Sequence, residues 1–307
     1  MIEFADASEF IKDFEQVHSK KVLRIPYTTK DGLRKTILMC KCGKFYVSMP
    51  YLSLGILESK PTDRKNAPFM LFETEEGNVI STSKKPWEIR DTAAHSPYIY
   101  SDKLFIWKDI SAKNDISELF SSNVNRKINK AEKERVIVKS GTTKRLINDF
   151  YHAYVRRMNE IAIAPTSKNI VKRQVKTSKT TVFVAYRDGK IVGGATLNKI
   201  TDDIFANELF ATLKDYNKYY VSYALHNSMI AFAKKSNAVY YSFGRSTRNS
   251  SVHDYKRQFD GEEIALYWSY SRKRKNLRDN KFLYKLWKLV PYGLTKILGP
   301  YIVKRIY

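Results

Sequence analysis

Residues 181–199 decide the fold, and they run Thr181-Val-Phe-Val-Ala-Tyr-Arg-Asp-Gly-Lys-Ile-Val-Gly-Gly-Ala-Thr-Leu-Asn-Lys199. Two apolar runs flank an Asp188-Gly189 pair, a pattern that predicts two strands joined by a tight β-turn. The Gly193-Gly194 pair lies inside the second run with no helix start behind it, so it indicates close backbone packing and not a phosphate loop. No G-x-G-x-x-G or G-x-x-x-x-G-K-[ST] loop occurs in the chain, which argues against a doubly wound dinucleotide fold.

Working outward from this hairpin, periodicity and breaker residues predict an alternation of helices and strands. The expected order is strand 135–139, helices 144–161 and 167–175, strands 181–187, 190–199 and 204–212, helix 220–235, strand 238–243, helix 252–259 and strand 264–271. The order β-α-α-β-β-β-α-β-α-β indicates an α/β chain of the α+β kind, with mixed sheets.

The first 134 residues differ from the rest of the chain, because most of their predicted elements are short strands. We expect a helix over 9–18, strands over 21–27, 35–40, 44–48, 69–73, 78–81 and 103–108, and a long helix over 115–134. Asp115 or Ser117 is the expected cap of that long helix.

The charge is strongly positive and unevenly placed. The chain of 307 residues has 55 Lys and Arg against 31 Asp and Glu, a net charge of +24, and 43% hydrophobic residues exclude disorder. Residues 123–147, 168–190 and 272–307 carry +6, +6 and +10. The first two are either solvated basic faces or attractors for a polyanion such as tRNA, CoA, a nucleotide-sugar diphosphate or an undecaprenyl-diphosphate-linked glycan.

Residues that often mark metal sites or compartments give modest signals here. Cys40 and Cys42 are two residues apart along a predicted strand, so both side chains point to one face. We favour buried structural thiols over a metal site. The start of the chain has no apolar signal region, and no uncharged apolar run reaches the ~20 residues of a membrane-spanning helix. We expect a cytoplasmic protein, either free or at the inner face of the cytoplasmic membrane.

A polar loop follows the strand that ends at Phe243-Gly244. Hydroxyls, amides and guanidiniums crowd together in it, at Arg245, Ser246, Thr247, Arg248, Asn249, Ser250 and Ser251. Donors at the carboxyl end of a strand are typical of ligand sites in open α/β sheets, so we favour a binding site over a solvated turn.

The sequence around this loop resembles a known family. Phe243-Gly-Arg-Ser-Thr247 followed by Tyr255-Lys-Arg-Gln-Phe-Asp-Gly261 is similar to the signature of FemAB-like proteins in the GCN5-related acyltransferase (GNAT) superfamily. Val47-Ser-Met-Pro-Tyr-Leu-Ser-Leu-Gly55 and Trp87-Glu-Ile-Arg90 also resemble segments of FemAB-related proteins from envelope polysaccharide loci. The resemblance covers nearly all of residues 20–305.

The resemblance implies a fold and an activity. The fold would be two tandem GNAT-like units, 1–118 and 119–271, with a basic amphipathic tail over 272–307. The activity would be transfer of an acyl or aminoacyl group to an amine of a cell-envelope glycan or its nucleotide- or lipid-linked precursor. The donor co-substrate would be acyl-CoA or aminoacyl-tRNA, and no metal is expected.

The resemblance also implies a site near the junction of the two units. Lys256, Arg245 and His253 are the expected catalytic residues, and Lys256 would stabilise an oxyanion. No general base is identifiable, and His253 and Asp254 are candidates by position only. The expected substrate-binding residues are Pro50, Tyr51, Gly55, Arg90, Gly244, Ser246, Thr247, Asn249, Ser250 and Tyr255.

Two departures from the family pattern leave alternatives open. Residues 214–222 lack the glycines that hold the pyrophosphate of acyl-CoA, and the long coiled-coil arm of some tRNA-dependent relatives is absent. The alternatives are an acetyl-CoA-dependent N-acetyltransferase of a nucleotide-linked amino sugar, or a non-catalytic module that binds RNA or membrane.

The tail leaves its own choice open, between contact with an anionic membrane and packing on the first unit. Leu283, Leu286, Trp287 and Val290 predict one helix that Pro291 ends, and a second helix is expected over 294–298.

Overall fold

The structure, a computed structural model, describes residues 1–52, 54–62, 67–177, 179–273 and 286–306. The chain divides into two compact units. Unit 1 runs over Met1–Leu104 and resumes at Ile264, while unit 2 covers Phe105–Glu263 and includes the described residues 286–304. The tandem boundaries at 118 and 271 stay a prediction. No helix in the described ranges is long and apolar enough to cross a membrane.

Unit 1 is built on short strands and one helix, α1 (Ser8–His18), whose Phe14 and Val17 are buried. Its sheet has the order β15-β8-β4-β3-β2-β6-β7, with β5 paired to β3 and to β1. The strands are β1 (Ile2–Phe4), β2 (Val22–Thr28), β3 (Arg34–Cys42), β4 (Phe45–Val47), β5 (Ile56–Glu58), β6 (Leu71–Glu73), β7 (Val79–Ser81), β8 (Trp87–Asp91) and β15 (Glu262–Tyr270). Strand β15 pairs with β8 through Tyr267–Tyr270, which lie in unit 1.

Unit 2 has the strand order β10-β11-β12-β13-β14-β9. The pairs from β10 to β13 are antiparallel, and β13 with β14 is parallel. Its strands are β9 (Tyr98–Asp109, from Phe105 onward), β10 (Ile137–Gly141), β11 (Thr180–Arg187), β12 (Lys190–Lys199), β13 (Ile204–Thr212) and β14 (Tyr240–Thr247). Its helices are α2 (Ser122–Lys133), α3 (Lys144–Glu160), α4 (Lys168–Lys176), α5 (Val221–Lys235), α6 (Ser251–Arg257) and α7 (Tyr292–Ile306).

The hairpin predicted at Asp188-Gly189 is present. The mixed α/β fold class is also confirmed. Strands β11 and β12 meet at Asp188-Gly189, where both residues have positive φ as a two-residue hairpin turn requires. Gly193 and Gly194 lie in β12, where added Cβ atoms would come within 2.9 Å of Ala211 O and of Phe150 Cδ2. These glycines therefore permit close packing, as predicted.

Several predicted elements have different bounds, among them the strand expected over 103–108, which runs over Tyr98–Asp109. The helix expected over 115–134 is broken, because a 3-10 turn at Ser117–Leu119 precedes α2 and Ser121 caps α2 by accepting from the N–H of Val124. The strand expected to end at 243 continues to Thr247, so the first part of the polar loop is strand. The second tail helix extends through Gly299-Pro300. Leu283 of the first tail helix lies outside the described residues.

The cysteine pair lies on β3, as predicted, where it contributes to the core of unit 1. Cys40 is 1% exposed and packs with Phe14, Leu38 and Met49, while Cys42 is half-buried beside them. Burial raises the pKa of the Cys40 thiol to about 12, so this thiol stays protonated and unreactive at neutral pH.

Candidate functional site

Strands β13 and β14 touch and then part, and this is the central feature of unit 2. Their parallel ladder covers only Ile204–Ala206 against Tyr240–Ser242, although both strands continue well beyond it. Just past the ladder, Gly244 has φ +73°, and a Cβ on it would lie 2.4 Å from Asn207 O. Only glycine fits this contact, so the backbones meet there and leave unpaired strand edges beyond it.

A β-bulge in β13 lies at the same level. Ala195 of β12 pairs with Phe210 and Leu197 pairs with Asn207, so β13 has one residue more than its partner over this span. The amide of Leu209 donates to the Thr196 hydroxyl at 3.1 Å in place of a ladder bond. Bulges of this kind redirect a side chain, and the side chain redirected here belongs to Glu208.

Glu208 is the most unusual carboxylate of unit 2. It accepts hydrogen bonds from the side-chain amides of Gln174, at 2.8 Å, and Asn198. Water still reaches the residue, but protein surrounds its carboxylate closely. This desolvation raises the pKa of Glu208. The two amides and Arg245 act in the opposite direction, with smaller effects. A glutamate with a raised pKa that remains accessible is suited to accept a proton.

Lys256 is a buried cation held by backbone carbonyls. Its Nζ donates to Gly244 O at 2.9 Å and to Arg245 O at 3.1 Å, and the residue is 7% exposed. Successive carbonyls of a regular strand point in opposite directions, so the left-handed φ of Gly244 is what lets both reach one ammonium. Desolvation, with a smaller contribution from Arg245, lowers the pKa of Lys256 to about 7.

His253 and Ser250 hold the start of α6, the helix that carries Lys256. Ser250 caps the helix, since its hydroxyl accepts from the N–H of His253 and donates to Thr247 O at 2.7 Å. The His253 ring is 3% exposed, and its Nδ1 accepts from the N–H of Asn249 at 3.1 Å. This places the ring proton on Nε2, which lies 3.1 Å from Glu263 Oε1.

The predicted catalytic role of His253 conflicts with this geometry. The lone pair on Nδ1 is already used by a backbone amide, so it cannot accept a proton from a substrate. Asp254, the other base suggested by position, is exposed on α6. The contacts of the His253 ring with Asn249 and Glu263 hold it in the loop, and the roles of the site residues stay predictions.

Two further predicted residues, Ser246 on β14 and Tyr255 on α6, are largely removed from solvent. Ser246 is 4% exposed, and its Oγ has no hydrogen-bond partner within the described part of the chain. The Tyr255 ring packs edge-on against Tyr223 at 5.1 Å and Phe259 at 5.5 Å, and burial raises its pKa. Tyr255 thus lies in an aromatic cluster behind the lysine.

The predicted residues of unit 1 come together around Arg90. Its Nε lies 2.8 Å from Glu88 Oε1, its Nη1 donates to the carbonyls of Pro50 and Leu52, and its guanidinium lies 4.5 Å from the Trp268 ring centroid. The N–H of Gly55 donates to Arg90 O at 2.7 Å.

Tyr51 faces a different neighbour, because it stacks on His18 with ring centroids 4.2 Å apart. The expected site at the junction of the two units stays a prediction.

The turn before α5 occupies the place of the acyl-CoA pyrophosphate loop in the sequence resemblance. A 3-10 turn at Lys214–Tyr219 leads to Tyr220, which has φ 56° without being glycine. The guanidinium of Arg187 lies 3.7 Å from the centroid of the Tyr219 ring. This stacked aromatic turn is not the open glycine cradle that a pyrophosphate requires.

Sequence reasoning missed Glu208 and the two amides that bind it. The available signal was the polar pair Asn207-Glu208 in the middle of an otherwise apolar predicted strand. Such a pair breaks the alternation expected of a strand and is typical of a bulge.

No protein-family model and no curated protein sequence matches the chain. Solved structures do share its fold. FemX has 10% identity over 85% of this chain and 90% of its own, with a TM-score of 0.57. L-PGS from Bacillus licheniformis has 12% identity over 94% of this chain and 99% of its own, with a TM-score of 0.52.

A third structure is the C-terminal domain of a putative lysylphosphatidylglycerol synthetase from Agrobacterium fabrum. It has 10% identity over 85% of this chain and 88% of its own, with a TM-score of 0.53. At these identities the likeness is one of fold, and at that level the resemblance to FemAB-like proteins is confirmed.

Proposed function

We propose that the protein is an N-acyltransferase or aminoacyltransferase that forms an amide on an amino group of a cell-envelope glycan or of its nucleotide- or lipid-linked precursor. The fold shared with FemX and with L-PGS supports this activity. The observation that carries the proposal lies where β13 and β14 part: Glu208 on β13 has a raised pKa, and Lys256, which binds two backbone carbonyls of β14, has a lowered one. Arg245 acts electrostatically on both groups.

The reaction uses each of these groups in turn. The acceptor amine attacks the carbonyl carbon of an ester or thioester, a C–N bond forms, and the proton of the amine passes to Glu208. The carbonyl oxygen becomes an oxyanion, and its collapse breaks the C–O or C–S bond. The leaving oxygen or sulfur then takes up a proton.

Lys256 suits the second half of this sequence. An ammonium has three N–H donors, and two of them are bound to Gly244 O and Arg245 O. The third is the donor that would meet the oxyanion or the leaving group. Because the pKa of Lys256 is about 7, the group exchanges a proton readily at neutral pH, as a general acid must.

The donor is acyl-CoA or aminoacyl-tRNA, and both are kept in the proposal. The aromatic turn at residues 214–220 does not offer the glycine cradle of acyl-CoA enzymes, which favours the charged tRNA. The basic segments 123–147 and 168–190 would attract either polyanion, or the diphosphate of the acceptor. A lipid-linked acceptor would place the protein in the cytoplasm at the inner face of the cytoplasmic membrane.

The proposal is tested by supplying both donors to the full chain. Purified protein is incubated with labelled aminoacyl-tRNA or acyl-CoA and with a nucleotide-linked amino sugar or a lipid-linked glycan. We expect one donor and acceptor pair to yield label that resists hydroxylamine, as an amide does and an ester does not. Acetyl transfer to the nucleotide-linked amino sugar alone would select the narrower acetyltransferase.

Variants then assign the site. Glu208→Gln should lower the rate roughly 10²- to 10⁴-fold, the usual contribution of a general base, with the fold intact. Glu132→Gln is the matched control, because Glu132 is an exposed glutamate of the same unit. If no donor yields an amide and the protein binds RNA with a steep salt dependence, the non-catalytic module is the correct alternative.

A further inference from the structure

The C-terminal helix α7 carries an apolar stripe that faces outward. Leu294, Ile297, Leu298 and Tyr301 follow the spacing i, i+3, i+4, i+7, and they are 49%, 60%, 43% and 69% exposed. In helices of globular proteins this spacing marks the face turned to the core. Here the stripe is turned away from unit 2, although its composition is that of a buried surface.

The opposite face of α7 is fixed to unit 2, so the outward orientation is not a matter of a loosely attached helix. Thr295 is fully buried and accepts from the side-chain amide of Asn159 at 2.8 Å, and the same amide donates to Val290 O. A Cβ on Gly299 would lie 2.3 Å from Cδ of Pro165, so only glycine permits this approach. Small residues thus pack inward, and the large apolar ones remain outside.

The exposed apolar surface continues beyond the helix. In the turn before α7, Leu289 is 79% exposed and Leu286 is 48% exposed. In the connection between α3 and α4, Ile163 is 51% exposed, two residues before the Pro165 that contacts Gly299. So many exposed large apolar side chains within residues 286–301 mark an interaction surface, whereas exposed leucines scattered singly do not.

Lysines crowd beside this stripe without acidic neighbours in the same segment. Residues 286–306 contain four Lys and Arg and no Asp or Glu. The pKa of Lys168, at the start of α4, is lowered by desolvation and then by repulsion from Lys172, Lys296 and Lys144. Three ammonium groups therefore act on that of Lys168, and a polyanionic surface would relieve this repulsion.

We propose that α7, the turn before it and these four lysines form a docking surface for a lipid bilayer with anionic headgroups. A bilayer accepts a row of leucine, isoleucine and tyrosine side chains without demanding a complementary shape, and each nearby lysine adds about 1 kcal/mol when the lipid is anionic. The inference rests on the proposed function only in its choice of the cytoplasmic membrane as the surface that is bound. Binding is measured without donor or acceptor, so its failure would leave the transferase proposal standing.

The test is co-sedimentation of the full chain with vesicles. We expect binding to vesicles of phosphatidylglycerol and phosphatidylcholine, and weaker binding to phosphatidylcholine alone. The double variant Leu289→Ser/Ile297→Ser should bind the anionic vesicles roughly tenfold more weakly or worse, because two large apolar side chains no longer enter the bilayer.

The matched control is Leu33→Ser/Ile80→Ser. These side chains are 57% and 56% exposed and lie in unit 1, so the control removes similar apolar area elsewhere and should bind as the unchanged protein does. Equal binding by both double variants would overturn the proposal, because general positive charge would then account for the interaction. A self-associated state without vesicles, abolished by Leu289→Ser/Ile297→Ser, would also overturn it by making a second copy the occupant.

Discussion

The two units each bury a cation, and they compensate it in opposite ways. Arg90 of unit 1 is 2% exposed, with the Glu88 carboxylate 2.8 Å from its Nε and the face of Trp268 against its plane. Lys256 of unit 2 is 7% exposed and is held by two backbone carbonyls, with no ion pair among the described residues. The like charge of Arg245 adds to desolvation in lowering the pKa of Lys256.

This difference distinguishes a cation that holds the chain in place from one that can exchange its proton near neutral pH. A buried cation paired with a carboxylate keeps its charge and fixes the chain around it, as Arg90 does for Pro50 and Leu52. A buried cation surrounded by dipoles alone has a lowered pKa, as Lys256 does, and can therefore exchange its proton near neutral pH. Both residues resemble site residues in the sequence, but only the second has the electrostatics of a reactive group.

The largest effect is expected from breaking the paired cation. Arg90→Ala would leave the Glu88 carboxylate buried without its partner, which should lower the free energy of unfolding by about 3–5 kcal/mol. Urea denaturation measures it, with Lys199→Ala as the control, since the Lys199–Asp202 pair is exposed and should contribute under about 0.5 kcal/mol. A stable Arg90→Ala protein that has lost its activity would instead make Arg90 a substrate contact.

The backbone contact below Lys256 gives the next effect. Gly244 and Gly189 both have φ +73°, but a Cβ on Gly244 meets Asn207 O at 2.4 Å whereas one on Gly189 meets nothing within 4 Å. Gly189→Ala should therefore cost about 1 kcal/mol for the backbone conformation alone, and Gly244→Ala about 3 kcal/mol or more. Equal losses in urea denaturation would show that β13 and β14 do not meet as described.

The unpaired cation should reveal itself in the pH dependence of stability. The pKa of Lys256 is about 7 in the folded protein and 10.5 for an ordinary lysine, so between these values the unfolded chain binds more protons than the folded one. The free energy of unfolding therefore rises with pH in that window, by up to about 1.4 kcal/mol per pH unit. Below the window the destabilisation by the buried charge is complete. Lys256→Met lacks this contribution to the pH dependence of stability.

The measurement is denaturation of both proteins at about pH 7 and about pH 9. The stability of Lys256→Met relative to the unchanged protein should be greatest at the lower pH and should shrink at the higher one. A difference independent of pH would mean that Lys256 is as well compensated as Arg90.

The smallest effect concerns the helix that presents Lys256. Ser250→Ala removes the cap of α6 and the bond to Thr247 O, and should cost about 1 kcal/mol in denaturation. Ser251→Ala is the control, because Ser251 is exposed at the first position of the helix and is not the cap. Equal small losses in both would show that α6 is held by other contacts.

Much of the fold follows from local sequence, as the hairpin of β11 and β12 shows. Asp188-Gly189 specifies a turn, and the flanking strands have the expected length. The long helix expected over 115–134 was wrong because periodicity continues through residues 117–128 while Ser121 caps a new helix. Periodicity alone does not distinguish an interior serine from a cap.

The candidate site was only partly predictable. Lys256 and Gly244 were predicted from a motif, and the structure brings them into contact because residues of one strand and the next helix are near in sequence. Glu208 was missed because its role depends on a bulge against Thr196 and on amides from α4 and β12, which no local pattern records. His253 was suggested as a base by position alone, and position could not predict that its Nδ1 accepts from the N–H of Asn249.

The most direct test of the account is the pH profile of kcat/KM for amide formation by the unchanged protein and by Lys256→Met. This ratio reports the free protein, where the pKa of Lys256 is about 7. We expect the unchanged protein to lose activity as pH rises through that value, and Lys256→Met to be folded, slow at every pH and without this decline. A folded Lys256→Met protein with full activity, or with the same decline, would contradict it.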